Sequence, residues 1–198
     1  APRHFDATCP HGFSPMDLLL LLKLVHVLGA VVWVGGASVL TLLVVLLDRR
    51  GDDPATLTGV SYVALLGSRV FAPVGTLTLL TGLALAWLAG WGLAAWTVLA
   101  AAVAVSTFLL GALVLGPASG RAARTWSETG DAAAAIGMGR RVLRLAMLDL
   151  GGQFAIVSLM VLKPGWTDPH LLVPAAFLAL GALGYARGAA RAPSAQPA

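Results

Sequence analysis

Apolar residues occupy five long blocks of the 198-residue chain, and polar residues gather between them. The blocks fall at about residues 18–47, 69–91, 96–115, 142–162 and 171–185. About 20 apolar residues at ~1.5 Å each cross a ~30 Å hydrocarbon core, so each block reads as a spanning helix. The first is longer than needed and should tilt or protrude. Asp17, after Pro15, is placed to cap it, and 48–54 (DRRGDDP) forms a turn. Residues 56–68 read as a helical approach to the second span, which Pro73 should kink. Gly116-Pro117 should end the third span, leaving a polar loop over 118–139, and Lys163-Pro164-Gly165 stops the fourth. The expected fold class is all-α, a polytopic membrane bundle of five transmembrane helices. Residues 1–16 form an extramembrane arm, 17–186 one bundle, and 187–198 a tail of loose, Pro-containing composition.

Composition sharpens this picture. Only 11% of residues are charged and 58% are hydrophobic, too few charges to coat a water-facing surface of this size. The excess of arginine lies in alternate connections: Arg49 and Arg50, then Arg121, Arg124, Arg140 and Arg141, then Arg187 and Arg191. The positive-inside rule therefore places the N-terminus outside and the C-terminus in the cytoplasm. Trp87, Trp91 and Trp96 mark the outer boundary. No basic face with interleaved aromatics exists, so nucleic acid is not an expected partner. The expected partners are the lipid bilayer and a membrane protein or a second copy. Cys9 is the only cysteine, which excludes an internal disulfide and a CxxC pair. The first residues lack the charged-then-apolar pattern of a signal peptide. No HExxH, P-loop or GxSxG motif is present, which argues against hydrolase and nucleotide chemistry.

Ionisable groups at membrane depth are the functional candidates, because each costs about 2.5–3.5 kcal/mol or more at the bilayer centre. Lys23, His26, Ala30, Trp33 and Ala37 share one helical stripe. Lys23 can snorkel; His26, ~12 Å deeper than the start of the span, cannot. His26 is either a neutral imidazole bonded to a neighbouring carbonyl or hydroxyl, an axial haem ligand, or a contact for copper or a quinone. Trp33 packs or lines a cofactor cleft. Asp149, Gly152, Gln153, Ile156, Met160 and Lys163 form a second stripe. Gln153 falls near the depth of His26 and is its expected partner. Met160 is a candidate second ligand. Arg69 and Asp149, of equal depth and opposite charge, should form an ion pair; the alternative for Asp149 is a proton relay. His4, Cys9 and His11 in the arm are of types that suit copper.

The segments KLVHVLGAVVWVGG, RVFAPVGTLTLLTGLAL, LGPASGR and LDLGGQFAIVSLMVLKPGW occur in this order. Together they resemble the bacterial integral membrane family catalogued as domain of unknown function 2269. The resemblance covers about residues 18–166 and implies a bacterial inner-membrane location. The first-span pattern, His26 followed by Trp33, Gly35 and Gly36, is also similar to copper-resistance D membrane proteins and HemJ-type protoporphyrinogen oxidases. That similarity implies a haem b ligand at His26, or copper as the alternative. Two further readings stand beside this redox one: an accessory subunit of a larger membrane complex, and a copper-handling protein.

Overall fold

The computed structural model describes residues 15–190. The arm, with His4, Cys9 and His11, and most of the tail, with Arg191, lie outside the described residues. The described residues form helices without strands. Five helices are long and apolar enough to span a membrane: α1 Met16–Arg49, α2 Asp53–Leu88, α3 Ala95–Thr129, α4 Ala132–Leu162 and α5 Pro169–Ala190. The expected five-helix membrane fold is thus present.

Short turns make α1 to α4 an antiparallel up-and-down bundle, and α5 packs chiefly on α4. The turns are written in local chemistry. Gly51 adopts φ +73°, and Asp52 then caps α2 by accepting from the Ala55 N–H at 3.0 Å. Asp131 caps α4 by accepting from the Ala134 N–H at 2.9 Å. Asp168 starts α5, accepting from the backbone N–H of His170 at 2.9 Å and facing its ring Nδ1 at 2.6 Å. Those bonds hold the Asp168 carboxyl below the usual carboxylate range.

Two boundary expectations need correction. The third span does not end at Gly116-Pro117, because helix continues through them as Gly116–Thr129. The polar loop expected over 118–139 is therefore mostly helical, broken only near Gly130, which adopts φ +69°. Proline is tolerated here because the preceding turn has widened. Leu110–Leu115 is π-helical, and so is Gly67–Phe71 ahead of Pro73. Proline lacks an N–H and crowds the carbonyl four residues back, and a π turn relieves both. At Pro73 the expected kink thus takes the form of a local bulge. A third π turn, Val31–Gly35, precedes Gly36 in α1.

With 31 to 36 residues, α1 to α4 are about 46–54 Å long, well beyond a ~30 Å hydrocarbon core. The more polar stretches of these helices lie at the end that carries the α1–α2 and α3–α4 turns. Small cores fill this end, one of Val44, Val60, Ala122 and Leu143, the other of Leu57, Ala135 and Ile136. Arg140 ties this end together, its Nε 2.7 Å from Asp48 and an Nη 3.5 Å from Asp53. At the opposite end the Lys163 ammonium sits over the Trp91 and Trp96 rings at 5.3 and 5.4 Å, joining the other two turns.

Candidate functional site

The three π turns lie at the midpoints of α1, α2 and α3, and Asp149 lies near the midpoint of α4. In an antiparallel bundle this brings them to one level. A cavity beside Asp149 occupies it, and a tight seam around His26 lies beyond it, toward the end that holds Trp91 and Trp96.

The seam joins α1 and α2. The imidazole Nδ1 of His26 donates to the Thr78 carbonyl at 2.9 Å, with the Thr81 hydroxyl 3.4 Å away. A carbonyl can only accept, so this contact assigns the proton to Nδ1. Gly82 makes room for the ring: a Cβ there would lie 2.8 Å from His26 Cε1. Gly29 likewise faces the Thr78 side chain, and Gly75 faces Trp33 and Phe108. Trp33 meets Phe108 edge-on at 6.2 Å. The expected His26–Gln153 contact is not made. Gln153 instead bonds within its own helix, its Nε2 donating to Asp149 Oδ2 at 2.6 Å.

The Arg69–Asp149 ion pair is also absent among the described residues. Arg69 lies in the π turn Gly67–Phe71 and is exposed, whereas Asp149 is 8% exposed and faces inward. Equal depth therefore does not bring the two side chains to one face of the bundle. Asp149 and Gln153 face a cavity of about 90 Å³. Its wall takes Trp33 and Thr41 from α1, Phe71 from α2, Phe108 and Ala112 from α3, and Val142 and Ala146 from α4. No lysine, arginine or histidine lines it. Asp149 Oδ1 and Gln153 Oε1 are buried without hydrogen-bond partners, and Gln153 is fully buried. The wall therefore offers acceptors with nothing to receive.

Of the residues singled out from the sequence, Trp33, Asp149 and Gln153 converge on the cavity, while His26 stands apart in the seam. Met160 is half-buried and lines neither. Thr41 and Ala112 escaped sequence reasoning. Thr41 extends the His26 stripe by one more step of four from Ala37, which was the available signal. The cavity beside Asp149, about 90 Å³, is smaller than the ~300–1,000 Å³ usual for a ligand pocket, and His26 is not in its wall. No cluster of three metal-ligating His, Cys, Asp or Glu side chains occurs among the described residues.

Fold and site together define a small polytopic α-helical membrane protein with a largely apolar mid-bundle cavity that holds the buried Asp149 and Gln153. Residues 20–164 match the family model described as predicted integral membrane protein (DUF2269), and the chain belongs to that family. The match takes in α1 to α4 with the cavity and stops before α5. Neither curated proteins nor solved structures give a match.

Proposed function

We propose that this membrane protein holds and passes a proton at Asp149. The observation that supports the reading is the pair of unpartnered acceptor oxygens, Asp149 Oδ1 and Gln153 Oε1, beside a cavity whose wall carries no cationic residue. A carboxylate removed from water needs a positive partner, and the protein supplies none there. Gln153 fixes Oδ2 at 2.6 Å, so Oδ1 is the oxygen free to take up and release a proton. A proton on Oδ1 turns an orphan acceptor into a donor toward cavity water or a threonine hydroxyl. The cavity, about 90 Å³, has room for water molecules, and the Asp149 and Gln153 oxygens are the groups that would anchor them. Reconstituted vesicles containing a pH dye provide the test. Asp149→Asn should slow proton entry after an acid pulse by about 100-fold, the scale of losing a positioned proton-transfer group. Equal rates in wild type and variant would sink the reading.

One observation favours a second reading, a redox metal centre at His26. The Thr78 carbonyl holds Nδ1–H, which leaves the Nε2 lone pair as the basic nitrogen, the arrangement that suits a metal-ligating histidine. The haem b or copper suggested by the sequence would then sit at the edge of the α1–α2 seam, outside the cavity. Visible absorption bands that vanish in His26→Ala but persist in Asp149→Asn would support it; bands unchanged by His26→Ala would end it.

A further inference from the structure

Resting on the reading of Asp149 as the proton-bearing group, we infer that the same cavity binds a small monovalent cation in exchange for that proton. The donors available are oxygens. Asp149 Oδ1 and Gln153 Oε1 have no partner. Thr41, also in the wall and 8% exposed, makes no side-chain hydrogen bond. Ala112 is also in the wall, and its carbonyl has lost its usual donor, because the Gly116 N–H bonds the Gly111 carbonyl five residues back. These groups come from α1, α3 and α4, so a bound ion would cross-link the bundle at the level of the π turns.

The donor set selects the ion class. Carboxylate, amide and hydroxyl oxygens suit hard cations, and the wall has no histidine or cysteine for a softer metal. A single carboxylate balances one positive charge. A divalent ion would leave a net charge in a low dielectric, and calcium sites use 6–8 oxygens with several carboxylates as a rule. No other charge competes at close range. Lys23 on α1 and Arg69 on α2 are exposed, and α3 brings no charge to the wall. Arg144 on α4 lies a turn and a half away, with its side chain across Gly188 of α5. The exchange is balanced: a protonated Asp149 carboxyl and an aqueous cation give a carboxylate–cation pair and a proton released to water. No electrons move, and the charge of the site is unchanged.

The test uses the purified full chain in detergent with weak buffer and a pH dye. Sodium, potassium and lithium chlorides are added in turn, with choline chloride as the ionic-strength control. At least one of the three should release close to one proton per chain and remove an infrared carboxyl band that Asp149→Asn also removes. Choline should do neither. Thr41→Val, which keeps the shape and the carboxyl, should raise the required concentration of that ion about tenfold. Equal release with choline, or full release from Asp149→Asn that still melts cooperatively, would overturn the inference. A pH-sensitive Asp149 band indifferent to all three cations would overturn the cation site and leave the proton reading standing. A band untouched by Asp149→Asn would remove both.

Discussion

His26 and Asp149 are both ionisable groups buried in an apolar bundle, and their surroundings treat them differently. His26 donates to a backbone carbonyl that Thr78 presents from the next helix, and Gly82 leaves space for the ring. Asp149 has one oxygen satisfied and one open to a cavity. The first arrangement reads as positioned packing, the second as a place for an exchangeable positive charge. The coupling at His26 is measurable. Gly82→Ala should push the imidazole off the Thr78 carbonyl and destabilise the protein by about 1–3 kcal/mol, as overpacking does. In the His26→Ala background the same change should cost less, with a coupling on the order of 1 kcal/mol in a double-mutant cycle of detergent melts. Additive effects would show that the two residues do not meet. The inward faces of both residues were legible, since His26 with Trp33 and Asp149 with Gln153 fall on stripes that the structure buries. Their partners were not. Gln153 serves Asp149 by the i, i+4 relation within α4, a contact open to any helix and indifferent to bilayer depth.

At the level of elements, the apolar blocks gave the five helices, while their joints depended on chemistry that hydropathy does not weigh. Pro73 reads as a kink and Pro117 as a breaker by composition, yet each sits just after a π turn that lets the helix run on. Arg69 lies inside the Gly67–Phe71 turn on an exposed face, so equal depth alone does not pair it with the inward-facing Asp149. Glycine is equally dependent on context. Gly151 and Gly181 bring α4 and α5 into backbone contact: a Cβ on Gly151 would lie 2.7 Å from the Phe177 carbonyl oxygen and 2.9 Å from Gly181 Cα. Backbone cannot swing aside as a side chain can. Gly151→Ala should therefore lower the melting midpoint by several degrees, for a cost of about 1–3 kcal/mol. Gly137, exposed near the start of α4 with open space around its Cα, is the control. Gly137→Ala should raise stability by about 0.5–1 kcal/mol through helix propensity alone. If both substitutions act in the same direction, α4 and α5 do not approach this closely. Because the family match ends before α5, the Gly151 variant should keep any Asp149-dependent proton signal, which belongs to α1 to α4.

The whole molecule is asymmetric along the bundle axis, and its orientation can be argued from that asymmetry. Arg49, Arg50, Arg121, Arg124, Arg140 and Arg141 cluster at the end that carries the α1–α2 and α3–α4 turns. At the other end the turns hold Lys163 and Asp168 and the Trp91–Trp96 pair, 5.0 Å between rings. Short arginine-rich connections stay in the cytoplasm, and paired tryptophans favour an interface, so the arginine-rich end should be cytoplasmic. With five spans, that orientation would put the N-terminal arm on the outer side and the C-terminal tail on the inner side. The single cysteine makes this testable without altering the chain, since Cys9 is the only thiol that can react. A membrane-impermeant maleimide should label Cys9 in spheroplasts and fail to do so in sealed inverted vesicles. A second protein, Cys9→Ala with Ala198→Cys, should show the opposite pattern. Reversal of both patterns would invert the molecule and turn the arginine cluster outward. Labelling of both thiols from the same side would mean an even number of crossings. The only helix whose loss would leave the α1–α4 cavity intact is α5, held on α4 through Gly151 and Gly181 and lying beyond the family match. The paired labelling thus decides orientation and the placement of α5 in one experiment, independently of what the cavity binds.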